Sequence, residues 1–479
     1  MSKPLGALRR TKIVCTLGPA SADEATIEAL VRAGMNVARL NFAHVGHEGG
    51  SGIIRRIRAV EERVRTPVAI LQDLQGPKIR LGAIRGGSAT LREGAEFVIT
   101  TRPEEGSAAR ASTTYDGLAR DVKAGDRILV ADGMIQLDVL QADGVEVRCR
   151  VVAGGVVSDH KGINLPGVDL DIPALTDKDQ DDLAFGVKEG VDFVAVSFVR
   201  TATDILDAKD YLAEIQGRLP VIAKLEKPQV LRRLDDVLKV ADGVMVARGD
   251  LGVEMPLEEV PVVQKSIIRR AQRYATPVIT ATQMLESMVE HPRPTRAEAS
   301  DVANAIFDGT DAVMLSEETA TGAFPVEAVK VMARIAVEAE RGLPFYEDRP
   351  RRFQAMDMSF PGAIGEAACQ AAVELGAMAI CIFTQTGGMA RVVSKLRPPT
   401  PIIAFTPHRD VLRRLALYWG VQPRLITESH HTEELIEKID AALVEDGSVR
   451  KGDVLVITAG APMWVEGTTN LLKLHRVGS

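Results

Sequence analysis

Short apolar runs rich in β-branched residues recur along most of this chain with amphipathic helical stretches between them. That alternation is what a parallel sheet wrapped by helices requires. Eight runs stand out: TKIVCTLG (11–18), NVARLNF (36–42), PVAILQD (67–73), VDFVAVSF (191–198), PVIAKLE (220–226), DGVMVAR (242–248), TPVITAT (276–282) and DAVMLSEE (311–318). Helical stretches follow most of them. DEATIEALVRAG, after the first, has Ala, Leu and Ile at helical spacing and acidic residues in its first turn. Eight strand–helix units predict an α/β fold, a (β/α)8 TIM barrel.

The gap between the third and fourth runs is far longer than a barrel loop. From 77 to 159 it changes to short alternating pieces, EFVIT, DRILVADG, IQLDVL and VEVRCRVV, separated by Gly and Asp turns. This predicts an inserted small β-barrel domain, hung from a loop at the catalytic end as a lid. The barrel would then occupy 1–76 and 160–343. After the eighth unit RGLPFYEDRPRRFQAMDMS reads as a linker, and AMAICIFT, TPIIAFTP and DVLVITAG predict a C-terminal open α/β domain within 344–479.

At 479 residues the chain has room for these parts, and 46% hydrophobic with 26% charged residues is the composition of a globular α/β protein. A net charge of −7 and only 4% aromatic residues argue against a nucleic-acid partner. No segment approaches the roughly 20 apolar residues of a membrane span, and the N-terminus lacks the apolar stretch of a signal peptide. Cys15, Cys149, Cys369 and Cys381 are scattered without ligand-like spacing, so neither a disulfide framework nor a zinc site is expected. A cytoplasmic location fits these features.

In a (β/α)8 barrel the chemistry lies at the carboxyl ends of the strands. Arg39 and Asn41, Asp73, Ser197, Lys224 and Glu226, Arg248 and Asp250, Thr282, and Ser316 with Glu318 all fall there. Any one of them is as readily a capping or turn residue; their clustering along seven strand ends is not. Lys224 and Glu226 are two residues apart on one strand, so they share a face, and the next strand would deliver Asp250 to the same mouth. One ammonium beside two hard carboxylates is a divalent-metal site with a fixed positive charge next to it. Such a trio suits reactions in which negative charge moves between oxygens. Gly249 would expose backbone N–H groups to a substrate carboxylate, Thr282 would hydrogen-bond the same substrate, and Arg39 and Arg80 would fork onto phosphate.

TKIVCTLGPAS, GMNVARLNFAH, LQDLQGPKIR, KGINLPG, KLEKPQ, VARGDLGVE, TATQMLESM and PTRAEASDVANAIFDGTDAVMLSEETATG together closely resemble the pyruvate kinase family, in the family's order and over nearly the whole chain. The resemblance implies phosphoryl transfer from phosphoenolpyruvate to ADP in glycolysis, with Mg2+ or Mn2+ as cofactor. It implies that Lys224 bridges the transferring phosphoryl group and the enolate oxygen, and that Glu226 and Asp250 hold the metal. Arg39, Lys224, Gly249, Asp250 and Thr282 would contact substrate, with Arg39, Lys224 and Thr282 catalytic. Asn41, His44, Arg80 and Lys161 would lie on the nucleotide side. Thr282 resembles the residue near the face where the enolate is protonated, with Ser316 and Glu318 behind it on the proton route. A homotetramer is also implied.

Four departures from the family pattern, and one further similarity, carry expectations of their own. Ala43 and Leu74 stand where potassium-dependent members place hydroxyl ligands, and Lys78 stands where they carry Glu, while Asn41 and Asp73 are kept. The Lys78 ammonium would substitute for the monovalent cation, so activity without K+ is expected. Glu317 stands where the family has a small residue, which bears on packing behind the site. TQTGGMAR is similar to the family's sugar-phosphate effector loop, with Thr384, Thr386, Gly387 and Gly388 as contacts for a phosphorylated allosteric effector. Two other readings compete: a metal-dependent lyase of the phosphoenolpyruvate and pyruvate barrel type, which would not need the insertion with Arg80 and Lys161, and a catalytically silent metabolite sensor, which would not need Lys224, Glu226, Asp250 and Thr282.

Overall fold

A computed structural model describes residues 9–343, 360–429, 431–460 and 469–479. The linker expected after the eighth unit, the Arg349, Arg351 and Arg352 cluster within it, and most of the loop AGAPMWVEGTTN lie outside these residues.

All eight runs form strands, and the strands close into one parallel barrel. In chain order they are Lys12–Thr16, Val37–Asn41, Ala69–Asp73, Phe193–Val196, Val221–Leu225, Gly243–Ala247, Val278–Ala281 and Ala312–Leu315. Ring closure comes from pairing of the last with the first, Lys12 opposite Ala312. Every residue of the third and sixth strands is buried, as expected where helices cover the outer face and side chains fill the inner one. The inner face follows the period of two: Val37, Ala69, Leu71, Phe193, Ala195, Ile222 and Met245 belong to one apolar cluster inside the ring. Continued upward by the same parity, Arg39, Asp73, Ser197, Lys224 and Glu226 form the next layer, so the polar residues at the mouth are the top of the barrel filling.

The helices are capped by their own sequence. Thr176 and Asp179 form a reciprocal capping box before helix Asp177–Glu189, and Thr295 with Glu298 does the same before Arg296–Asp308. Each of these helices ends on a glycine in the left-handed region, Gly190 and Gly309.

Apart from a short helix at Leu118–Asp121 and a 3-10 turn at Arg85–Gly87, the insertion is β, a six-stranded sheet plus a two-stranded ribbon around one apolar core. Its sheet takes in Ile163–Asn164, past the boundary expected at 159, because Asn164 pairs with Leu129. Short bridges from Arg80 to Gly162 and from Leu81 to Thr113 link the two ends of the sheet and round it into a small barrel. The C-terminal unit is an open five-stranded sheet. The three expected strands are Ala379–Phe383, Ile402–Thr406 and Val454–Gly460; the outer two, Val421–Leu425 and Thr469–Arg476, were not anticipated. Both are edges and read poorly as strands, VQPRL with a proline and TNLLKLHR with polar residues interleaved.

The floor of the barrel, at the amino ends of the strands, meets the C-terminal unit through buried charges. Asp311 accepts from Lys395 at 2.5 Å and from Arg397 at 2.8 Å across the boundary, and from the barrel's own Val278 N–H at 2.7 Å. Lys12 donates to the Val421 carbonyl at 2.7 Å. Arg397 stacks on Trp419, 4.4 Å from the ring centroid. All four cysteines are buried and free. Among the described residues no helix is long and apolar enough to cross a membrane.

Candidate active site at the barrel mouth

Lys224 is the centre of the mouth. Its ammonium lies 2.8 Å from Glu226 Oε1 and 3.2 Å from Asp73 Oδ1, and it donates to Ser197 Oγ at 2.8 Å. Ser197 in turn donates to the Leu74 carbonyl at 2.7 Å, which fixes the hydroxyl as an acceptor for the lysine. Asp73 is shared: its other oxygen takes Arg39 Nε at 2.6 Å, and Arg39 also donates to Thr16 Oγ1 at 2.8 Å. The expected pair of Lys224 and Glu226 is therefore a four-member network, in which Asp73 serves two cations.

The titration of these groups follows from burial and their neighbours. Burial opposes the charge on Lys224, but Asp73 and Glu226 outweigh it and hold the ammonium above its ordinary pKa. Burial would raise Asp73, yet the charges of Lys224 and Arg39 keep its carboxyl below the usual range. Glu226 goes the other way: burial pushes it up, Lys224 offsets part of this, and the nearby Asp250 charge adds to the rise. Two carboxylates that repel each other, Glu226 buried and Asp250 half-buried, are the arrangement a divalent cation relieves. Glu226 Oε2 accepts one bond, from the Phe198 N–H at 2.8 Å. Among the described residues there is no group of three or more His, Cys, Asp or Glu able to hold a metal. Mg2+ takes one or two carboxylates and fills the rest of its octahedron with water and substrate oxygens.

The sixth strand hands the chain straight into helix Arg248–Glu254, which carries Gly249 and Asp250 at its start. The Gly249 N–H donates to Thr282 Oγ1 at 2.8 Å. Thr282 sits at φ 70° and Gln283 at φ 55°, an unfavourable conformation for a β-branched residue. It is held by Arg248, which donates to the Thr282 carbonyl at 2.7 Å while anchored to Asp301 at 2.7 Å. Arg248 thus positions Thr282 and has no free fork for a ligand.

A cleft of about 880 Å³ opens above these residues, with Gly249, Asp250, Thr282, Ser316 and Glu318 on the barrel side and Arg127, Asp132 and Gln136 on the insertion side. Glu318 is buried, accepting from the Leu285 N–H at 3.0 Å and the Ser316 N–H at 2.6 Å, and burial pushes its carboxyl up. Ser316 Oγ beside it is a buried hydroxyl with no hydrogen-bond partner among the described residues. Glu317 is exposed and lines the same cleft.

The other anticipated residues are more dispersed. Lys78 is exposed and lines, with Asp250, a narrow crevice between insertion neck and barrel. Asn41 uses its side-chain oxygen on the Ala43 N–H at 3.2 Å, and His44 is exposed on the turn that follows. Arg80 and Lys161 sit on the neck: Arg80 donates to the His160 carbonyl at 3.0 Å, and Lys161 is exposed. In the C-terminal loop the Gly387 N–H is taken by Thr384 Oγ1 at 2.9 Å and the Gly388 N–H by Thr386 Oγ1 at 3.4 Å. The sequence reading assigned no role to Lys227, Glu254 and Asn164, a buried ion pair with a half-buried amide beside Phe198; KLEKPQ, RGDLGVE and KGINLPG carried the signal.

Comparison with known proteins agrees with this fold. Residues 8–329 match the family model described as pyruvate kinase, barrel domain, and residues 362–475 the one described as pyruvate kinase, alpha/beta domain. The chain is 46% identical over 473 residues to a curated pyruvate kinase of Staphylococcus aureus (strain MRSA252), covering 98% of this chain and 81% of that one. The corresponding protein of strain USA300 gives the same identity and coverage. Among solved structures, a pyruvate kinase from Cryptosporidium parvum superposes with a TM-score of 0.92 at 35% identity, covering 99% of this chain and 97% of that one.

Proposed function

From the premise that this chain belongs to the pyruvate kinase family and is a phosphotransferase, we propose that its barrel mouth moves the phosphoryl group of phosphoenolpyruvate to ADP, giving pyruvate and ATP, as in glycolysis. The observation that carries the proposal is the placement of Lys224 against Asp73 and Glu226, with the Asp250 charge acting on both Lys224 and Glu226. An ammonium kept charged by two carboxylates can lie against the phosphoryl group and the enolate oxygen together, neutralising charge as it passes from one to the other. Glu226 and Asp250 are the carboxylates that would hold Mg2+ or Mn2+, which when bound supplies further positive charge to the phosphoryl oxygens. Enolpyruvate is a good leaving group because its enol tautomerises to a far more stable ketone, so the protein's task is positioning. Arg39 and the Gly249 segment orient the substrate, Thr282 stands at the face where the enolate carbon gains its proton, and buried Ser316 and Glu318 lie behind it.

Asn41, His44, Arg80 and Lys161 are assigned to the nucleotide side. Their dispersion between barrel and neck fits a nucleotide bound between the two parts. The enzyme works without K+ on this reading: Asp73 already faces Lys224 and Arg39, no hydroxyl is available at Ala43 or Leu74, and Lys78 brings a fixed charge to the crevice shared with Asp250. Thr384, Thr386, Gly387 and Gly388 are assigned to a phosphorylated effector, in a cytoplasmic homotetramer. A lactate-dehydrogenase-coupled assay with phosphoenolpyruvate and ADP, with and without K+ at matched ionic strength, tests the central claims. Turnover equal in both buffers and lost in Lys224→Met is expected. Strong activation by K+ would remove the cation claim, and an active Lys224→Met variant the catalytic one.

A further inference from the structure

Lys227 follows Glu226 by one residue and turns into a buried niche that the reaction itself does not use. Its ammonium lies 2.5 Å from Glu254 Oε1, and both side chains are nearly dry, 9% and 1% exposed. The same Glu254 oxygen accepts from Asn164 Nδ2 at 2.9 Å, while Oε2 is buried with no hydrogen-bond partner among the described residues. A buried ion pair of this kind adds little stability, since desolvation cancels most of the attraction, so stability does not explain it. Its connections do. Glu254 is the last residue of helix Arg248–Glu254, whose start bears Gly249 and Asp250. Lys227 Nζ also stands 5.8 Å from the centroid of the Phe198 ring, and the Phe198 N–H is the donor to Glu226 Oε2. Phe198 adopts φ 56°, a conformation that its surroundings must impose. Asn164 belongs to the last strand of the insertion, at the neck where the chain returns to the barrel.

One lysine therefore braces Asp250 through its helix, Glu226 through Phe198, and the neck through the carboxylate that Asn164 shares. We propose that Lys227, Glu254 and Asn164 are positioning residues that set the separation of the Glu226 and Asp250 carboxylates and tie it to the neck of the insertion. The inference rests on those two carboxylates being the metal ligands. Support groups behind metal ligands are typically worth about 10–100-fold in metal affinity or activity.

The test is calorimetric titration of Mn2+ into the whole enzyme with phosphoenolpyruvate present and ADP absent, alongside kcat and KM. Lys227→Met is expected to weaken Mn2+ binding about 10-fold or more, with Lys227→Arg restoring most of it. Asn164→Ala leaves the Lys227–Glu254 pair in place and is the variant to rely on if Lys227→Met does not fold. Its expected effect is a several-fold rise in KM for phosphoenolpyruvate with weaker Mn2+ binding. Wild-type Mn2+ affinity in both Lys227→Met and Asn164→Ala, with only the melting temperature lowered, would overturn the proposal. Glu226→Gln in the same titration separates the two levels: wild-type affinity there would overturn the ligand assignment and the node with it, whereas lost affinity there beside unchanged Lys227→Met and Asn164→Ala overturns the node alone.

Discussion

Both ends of the barrel bury lysines against carboxylates, yet the two ends push them in opposite directions. At the mouth, Lys224 has Asp73 and Glu226 around it and its pKa is held above the ordinary value against the effect of burial. At the floor, burial dominates: Lys12, with Arg9 adding repulsion and only Glu340 opposing, is pushed down to about 7, and Lys395, facing Asp311 but also Arg397, to about 8. The floor spends its groups on one another, Asp311 receiving Lys395, Arg397 and the Val278 N–H. The mouth leaves room, with an open cleft beside Asp250, Thr282 and Ser316. Burial and charge together do not mark a catalytic site; a lysine kept charged by carboxylates beside an open cleft is the arrangement proposed for one.

The widest separation between the two ends should come from Lys224→Met. It is expected to lower kcat by about 10³–10⁵-fold, the scale of removing a cation from a phosphoryl-transfer site, with the protein still folded by circular dichroism. A residual rate near that of the wild type would erase the distinction. The matching change at the floor is Asp311→Asn, which leaves Lys395 and Arg397 buried without their carboxylate. It should cost about 3–5 kcal/mol of stability, read in urea unfolding, while kcat of the folded fraction holds. Thr282→Ala returns to the mouth with a smaller effect. Loss of the hydroxyl that receives the Gly249 N–H should lower kcat about 10²-fold, more than it alters KM for phosphoenolpyruvate.

The smallest effect concerns pH. Between about 7 and the ordinary 10.5 the folded chain leaves Lys12 neutral while the unfolded chain keeps its proton. Stability therefore rises with pH across that window, and below it the cost of the buried charge is constant. Lys12→Met removes this cost. Relative to wild type, its thermal midpoint should be raised most at pH 7 and below, by about 2–4 °C, and the difference should shrink toward pH 10. A difference independent of pH would mean that Lys12 is not charged and buried as described.

The mouth was far more legible in the sequence than the floor. Strand parity alone placed Lys224 and Glu226 on one face, and the inward residues Ile222, Lys224 and Glu226 continue one row from core to site. Nothing so local marks the floor. Asp311 and Lys12 look like ordinary polar residues opening a strand, and Lys395 and Arg397 belong to another domain some 80 positions further on, so their meeting is a property of the assembled chain. The same limit hid Lys227, Glu254 and Asn164, which lie in recognisable motifs but come together only when the neck packs onto the barrel. The role of Asp73 was half visible: its position at a strand end was plain, its sharing between Arg39 and Lys224 was not. The edge strands of the C-terminal sheet were missed because solvent on one side relaxes the apolar pattern that made the barrel strands easy to find.

The burial of all four thiols gives the protein a practical property. Cys149 and Cys369 are pushed up to about 12 by burial, and Cys15 and Cys381 are also raised, so none is an available thiolate at neutral pH. A single cysteine added to the outer surface of the insertion, with another on a barrel helix, would be labelled by a dye pair without first stripping the native ones. The distance between insertion and mouth could then be followed by fluorescence while substrate and nucleotide are added in turn.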